Sequence, residues 1–490
     1  MEIIMKINVN ANVSLGRYVD PTIWQNSTLR YAPPEDFPAY CAKVIGRAKI
    51  MRTWITLDEY WDYRTDTVYP DYDIGVARYP VEELHHPYDW ASIVPAPSGT
   101  RFYAYLTSHA AAADELLLNV RRLEREVSDG VITYEQYESI FEQAVEYCKE
   151  IAPNIRYIEC CNEIEHPVFG KLTAEEYVKI YLCAYRAVKR LNEKHKYPMP
   201  LEIGGYAAAS PLVRWDLMQG VMAGLKKTEI GDNPMDFYAY HIYEAGATVG
   251  MVGIGRIDEA ELSDIDKMKL ILRQHNELLD ELGLPEKPVF LNEIGRSRTT
   301  GIAADSLFNA SGIITYLNAF SMGEMPGMYP FPWCTFHNPN LQISFTQFLL
   351  NDDGSYSATP NGLAIQMMHE LSGNRLETSA TGFGKDVAYA AVAVRGGDAI
   401  DVVCTNPTSE SIVCDLVING LDDGEYKVEV WPVTAIENNC VTGKGNGKLE
   451  KRREEIVTSK DGELRYCKPL EKYVFVRYRF ILKNKKRVDE

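Results

Sequence analysis

Eight short apolar runs, separated by longer stretches of helical periodicity, constrain this chain more than any other feature. They are "PTIWQN" (Pro21 to Asn26), "KIMRTWI" (Lys49 to Ile55), "RFYAYLTS" (Arg101 to Ser108), "IRYIECCNE" (Ile155 to Glu163), "PLEIGGY" (Pro200 to Tyr206), "MDFYAYHIY" (Met235 to Tyr243), "PVFLNE" (Pro288 to Glu293) and "GMYPFPWCTF" (Gly327 to Phe336). Runs apolar on both faces suit parallel strands covered by helices. Eight strand–helix units in this span predict an α/β fold, a (β/α)8 barrel with insertions over residues 20–375. An open doubly wound sheet is the rival, but no Gly-rich phosphate turn follows the first run.

The intervening segments carry helix signals. "TAEEYVKIYLCAYRAVKRLNEKH" repeats apolar residues at helical spacing, and Thr173 with Glu176 makes a capping box at its start. "DIDKMKLILRQHNELLDELG" stops on Gly283, a residue suited to a helix end. "DELLLNVRRLEREV" and "YEQYESIFEQAVEYCKEI" are expected to form a helical pair ahead of the fourth strand. After about Leu376 the texture changes to alternating, β-rich runs such as "AIDVVCTNP", "IVCDLVING" and "YVFVRYRFIL", broken by Gly, Asn and Asp. They predict a C-terminal β-sandwich over residues 376–490. The first run of the chain, "EIIMKINVNANV", also alternates, so residues 1–19 are expected to pair with that sandwich and not with the barrel.

A net charge of -18 argues against nucleic acid or an anionic membrane as partner. It leaves small molecules and oligosaccharides, neutral ones above all. The N-terminus lacks the basic start and cleavage site of a signal peptide, and no apolar run approaches membrane-span length. The ten cysteines are scattered. Cys160 and Cys161 are neighbours, expected to point to opposite faces of a strand and so not to bond. Free thiols in a reducing cytoplasm are the expectation. A homo-oligomer assembled through the C-terminal domain is compatible with the sequence.

In such a barrel the active site lies at the C-terminal strand ends. Strand two brings Arg52, strand three His109, strand four Asn162 and Glu163, strand six His241 and Tyr243, strand seven Asn292 and Glu293, and strand eight Trp333. Two carboxylates facing each other across the mouth are what glycoside hydrolysis needs: one protonates the leaving oxygen, the other attacks the anomeric carbon or activates water. Arg52 beside Glu293 would hold that carboxylate ionised, and Asn162 suits a sugar 2-hydroxyl. Of the neighbouring acids, Glu159 is expected to be a paired residue lower in the barrel and Glu165 a loop residue.

Other chemistries fit worse. The chain has no Gly-x-Ser-x-Gly elbow and no His-Glu-x-x-His. His85-His86 lacks an obvious third ligand, "VGIGRI" (Val252 to Ile257) lacks the third Gly of a dinucleotide loop, and "TGKGNGK" (Thr442 to Lys448) reads as a hairpin turn. No metal or organic cofactor is implied.

With "CCNE" at one strand end and "FLNE" at another, the chain resembles the retaining barrel glycosidases of clan A. In layout it is most similar to the family of β-xylosidases and α-L-iduronidases, glycoside hydrolase family 39. "NDDGSYSATPNGLAIQMMHELSGNRLE" resembles the passage from the last strand into the last barrel helix of those enzymes. The resemblance implies Glu163 as acid/base, Glu293 as nucleophile, Asn162 on the 2-hydroxyl, a hydrogen bond from Tyr243 to Glu293, and Trp333 as the floor of the sugar site. It also implies an exo-glycosidase acting on β-linked neutral sugars, xylosides first, which the missing signal peptide and the expected free thiols would place in the cytoplasm. Cys161 and Ile164 stand where many clan members have Trp and Pro, and Asn292 where Thr or Ser is common. Another clan activity (α-L-arabinofuranosidase, β-galactosidase or β-glucosidase) is the alternative among enzymes, and a non-catalytic carbohydrate-binding barrel the alternative outside them.

Overall fold

Eight strands pair in parallel, in sequence order, to make one sheet: Trp24–Asn26, Ala48–Thr56, Ala113–Arg121, Ile155–Cys160, Glu202–Ala208, Phe237–Ile242, Val289–Ile294 and Met328–Pro332. They are called barrel strands one to eight here. The computed structural model describes residues 3–27, 34–75, 99–166, 169–209, 211–243, 262–296, 303–336, 345–442 and 445–483. His85-His86 and "VGIGRI" lie outside them, as do residues 443–444 of "TGKGNGK". The edges of the sheet meet: Thr335 N–H donates to Asn26 O at 2.8 Å, and the Trp24 and Tyr329 rings lie 5.0 Å apart. This is a (β/α)8 barrel.

The major helix after each strand covers its outer face: Phe37–Ile45, Phe102–Ala112, Tyr134–Ile151, Ala174–His195, Trp215–Lys226, Asp264–Leu282, Ala303–Ser321 and Pro360–His369. Helix Ala174–His195 begins in the expected box, with Glu176 N–H donating to Thr173 Oγ1 (3.3 Å) and Thr173 N–H to Glu176 Oε2 (2.7 Å). Helix Asp264–Leu282 ends at Gly283 with φ 62°, a left-handed backbone in which a glycine has no Cβ to clash.

One unit is displaced from the sequence reading. "RFYAYLTS" is not the third strand; it lies in helix Phe102–Ala112, and the third strand is "ADELLLNVR". Leucine and the acidic residues favour helix locally, but a strand buried on both faces also reads as an unbroken apolar run. Here the sheet wins: Leu116, Leu117 and Leu118 are all fully buried, between flanking strands and covering helices.

Alternation along the strands stacks the barrel interior in layers. The lower layer is apolar and largely aromatic, with Ile50, Leu117, Tyr157, Phe237, Phe290 and Phe331 in one cluster. Two residues further along the strands the interior turns polar.

The remaining strands form a nine-stranded sheet in the order Arg453–Ser459, Gly424–Val433, Phe475–Leu482, Ala399–Thr405, Ala391–Gly396, Asn374–Thr381, Ile4–Arg17, Ile412–Asn419, Glu463–Leu470. Its two outermost strands are joined by a three-residue turn, Lys460 to Gly462, so the sheet folds over on itself as a β-sandwich. Met5, Ile7, Val9, Leu416, Ile418, Val428 and Phe480 fill its core. The N-terminal strand lies inside this sheet, antiparallel to Asn374–Thr381 and parallel to Ile412–Asn419.

Candidate active site

Arg52, in barrel strand two, is fully buried and ties the polar layer together. Its Nε donates to Glu159 Oε2 at 2.8 Å, Nη1 to Glu293 Oε1 at 2.8 Å, and Nη2 to Asn162 Oδ1 at 2.7 Å. Burial works against its charge, but Glu159 and Glu293 outweigh that and raise its pKa above the ordinary arginine value. Glu159 also accepts from Asn119 Nδ2 (2.6 Å) and from Asn292 Nδ2. It is a fully paired acid beneath the mouth, and Arg52 serves both that structural acid and Glu293.

Two local distortions bring adjacent residues to the same face. In a regular strand Asn162 and Glu163 would point apart. Barrel strand four instead ends in a turn with Cys161 at φ 67° and Glu163 at φ 45°, a left-handed backbone costing a non-glycine residue roughly 1–2 kcal/mol. The turn is held from both sides, by Cys161 N–H on Val120 O (2.9 Å) and Glu163 N–H on Ala207 O (3.1 Å). In strand seven the register against strand six slips between Leu291 and Glu293, a bulge that lets Asn292 and Glu293 both reach inward.

The result is a compact constellation. His241 Nδ1 lies 2.7 Å from Glu163 Oε1 and 3.6 Å from Glu293 Oε2. Its Nε2 is buried without a hydrogen-bond partner among the described residues, and Nδ1, facing both carboxylates, is the nitrogen placed to donate. Tyr243 OH donates to Glu293 Oε2 at 2.7 Å. Both carboxylates are 6 % exposed, at the edge of the buried interior. Trp333, just past strand eight, is half-buried and meets Trp54 edge to face at 6.0 Å.

Glu163, His241 and Glu293 each offer an atom within 4.8 Å of the others, the one group with metal-ligand spacing among the described residues. Those atoms already have donors: Arg52 and Tyr243 on the two Glu293 oxygens, His241 on Glu163. A cation would displace them, so the set fits a hydrogen-bonded carboxylate pair better than a ligand cage.

The structure thus brings together Arg52, Asn162, Glu163, His241, Tyr243, Glu293 and Trp333. His109 stands apart. It belongs to the helix mistaken for strand three, and its ring nitrogens face Ser27 Oγ (2.8 Å) and Tyr105 O (2.6 Å). Burial depresses its pKa to about 4, as for a neutral core histidine. Glu165 is buried in the turn after strand four. Asn119, on Glu159, and Trp54, between Arg52 and Trp333, join the site without a sequence signal, and Arg121 lies against the Trp54 ring. All ten cysteines are free, and the Cys160 and Cys161 sulfurs approach to 3.6 Å because the left-handed turn breaks the alternation expected to separate them.

No family model and no curated sequence matches the chain. Solved structures do. A glucosidase from Croceicoccus marinus aligns with TM-score 0.62 at 16% identity, over 99% of this chain and 100% of the other. A GH39 β-xylosidase from Caulobacter crescentus aligns with TM-score 0.60 at 14% identity, over 97% and 99%. A bacterial orthologue of human α-L-iduronidase aligns with TM-score 0.59 at 12% identity, over 99% and 84%. The chain has the barrel-plus-sandwich fold of these glycoside hydrolases, end to end. Among the described residues no helix is long and apolar enough to cross a membrane.

Proposed function

We propose that the chain is a glycoside hydrolase of the retaining kind, with Glu293 as nucleophile and Glu163 as acid/base. The observation that carries the reading is the carboxylate pair itself, with oxygens no more than 4.8 Å apart. That separation matches the roughly 5–5.5 Å of retaining enzymes and leaves no room for the water of an inverting one, which needs about 6.5–9.5 Å. Donation from Arg52 to one oxygen and from Tyr243 to the other fixes the Glu293 carboxylate in place and aims it.

In the first step Glu293 bonds the anomeric carbon while the glycosidic C–O bond breaks and Glu163 gives its proton to the departing oxygen. In the second, Glu163 takes a proton from water, the resulting hydroxyl bonds the anomeric carbon, and Glu293 leaves as carboxylate. His241, between the two carboxylates, donates to Glu163 while that residue is charged. Asn162, its Oδ1 fixed by Arg52, has an amide nitrogen that meets no hydrogen-bond partner among the described residues, suited to a sugar 2-hydroxyl. Trp333 supplies an apolar floor. A β-linked, xyloside-like glycoside cut from the chain end is the starting expectation for the substrate, supported by the xylosidase and glucosidase among the structural neighbours.

A panel of aryl β-xyloside, β-glucoside, β-galactoside, β-glucuronide and α-L-arabinofuranoside, run with wild type and Glu293→Ala, tests this. Release by wild type, lowered on the order of 10⁴-fold in the variant, is expected. Sugar binding with no release by either protein overturns it in favour of a binding barrel.

A further inference from the structure

Arg121 ends barrel strand three, two residues beyond Asn119. Parity along that strand places Leu117 in the lower layer and Asn119 in the polar layer, so Arg121 belongs to the layer above, at the mouth. Its guanidinium carbon lies 4.4 Å from the Trp54 ring centroid, and that of Arg52 lies 4.0 Å from the same centroid. Arg121 and the cation that holds Glu293 therefore share one indole.

The Arg121 guanidinium makes no hydrogen bond or ion pair with any described residue, and its Nε is buried without a partner. Arg52, by contrast, binds three acceptors, and Arg125 binds Asp129 and Glu176. Asp58 and Glu59 favour its charge from a distance but do not outweigh burial and the neighbouring arginines, and neither makes an ion pair with it. Asp58 and Glu59 follow strand two; burial raises the pKa of both, that of Glu59 to about 8, which leaves Glu59 protonated at neutral pH. Burial likewise works against Arg121, with Arg122 and Arg52 adding repulsion. A partly buried cation that shares the Trp54 ring with Arg52, with its forked donors unspent, is costly unless something anionic arrives to use it.

We infer that Arg121 is a specificity-determining residue that binds an anionic substituent, a carboxylate or a sulfate, on the sugar in the catalytic subsite. This rests on the glycosidase reading and departs from the neutral glycone that the net charge favoured. The planar fork matches either oxyanion bidentately.

The aryl β-D-xyloside, β-D-glucoside and β-D-glucuronide share ring stereochemistry and differ only at C5, and the 6-sulfated glucoside adds the second anion. Hydrolysis of the four by wild type, Arg121→Met and Arg121→Lys is read as the ratio of kcat/KM for each charged glycoside to the glucoside. In wild type that ratio should exceed one for carboxylate or sulfate, naming the anion. It should fall about ten- to a hundredfold in Arg121→Met, the range for a charge-assisted bond, and less in Arg121→Lys. Calorimetric binding of glucuronate, glucose 6-sulfate and xylose to the same proteins runs alongside. Anion-selective binding lost in Arg121→Met without any hydrolysis sinks the glycosidase reading and keeps this one. Hydrolysis with a ratio that Arg121→Met does not move sinks this one and keeps the glycosidase. A melting temperature that drops in Arg121→Met with the ratio unchanged assigns Arg121 a structural role and overturns the inference.

Discussion

At the scale of residues, labour is divided between two glutamates and the arginine that links one of them to the barrel. If Glu163 supplies the proton, Glu163→Ala should lose about 10²–10⁴-fold on glycosides with poor leaving groups and far less on those with good ones. Added azide should restore turnover and give a glycosyl azide of unchanged anomeric configuration; equal losses across leaving groups would remove Glu163 from this role. Arg52→Leu strips Glu159 of its cation while leaving the carboxylate buried. Breaking such a pair costs about 3–5 kcal/mol, to be read in urea denaturation together with lost activity. Lysine should not rescue it, since one ammonium cannot reach Glu159, Glu293 and Asn162 together. The two glutamates were legible because each follows an apolar run and an Asn. Arg121 and Asn119 were not, since "DELLLNVRR" offers helix-forming residues and no turn signal before them, and only its burial between neighbouring strands makes it a strand.

At the scale of elements, the same misreading has a mirror image in "RFYAYLTS". Its aromatic spacing looks β-like, yet as a helix it satisfies its hydroxyls locally: Thr107 Oγ1 donates to Tyr103 O at 2.7 Å and Ser108 Oγ to Tyr105 O at 2.9 Å. The helices that were legible carry capping boxes or a stop glycine, signals that do not depend on tertiary contacts. The N-terminal strand is the element whose placement has the largest consequence. It bonds to strands on both sides within the sandwich, and Met5, Ile7, Val9 and Ala11 point into the core. Ile7→Ala should cost about 2–5 kcal/mol, measured by urea denaturation. Deleting residues 1–17 should leave a chain that melts well below the full protein or fails to stay soluble; an unchanged melting temperature would contradict the pairing described.

At the scale of the whole molecule, a barrel and a sandwich share one chain that crosses into the second domain, and stability follows the charges buried in the first. Burial raises the pKa of Glu59 to about 8 and of Glu124 to about 7, from an ordinary 4.5. Both bind a proton more tightly folded than unfolded. Their contribution to stability is therefore full below about pH 4.5 and lost as pH rises through 7 to 8. Melting temperature should fall between pH 5 and pH 8.5, and Glu59→Gln should flatten that slope; a slope unchanged in the variant would show that Glu59 ionises freely. The most direct test of the central claim is the anomer released first. Proton NMR of the best aryl glycoside during early hydrolysis should show product of the same anomeric configuration as the substrate, before mutarotation. Product of the opposite configuration would mean a water between the carboxylates, and would contradict Glu293 as nucleophile.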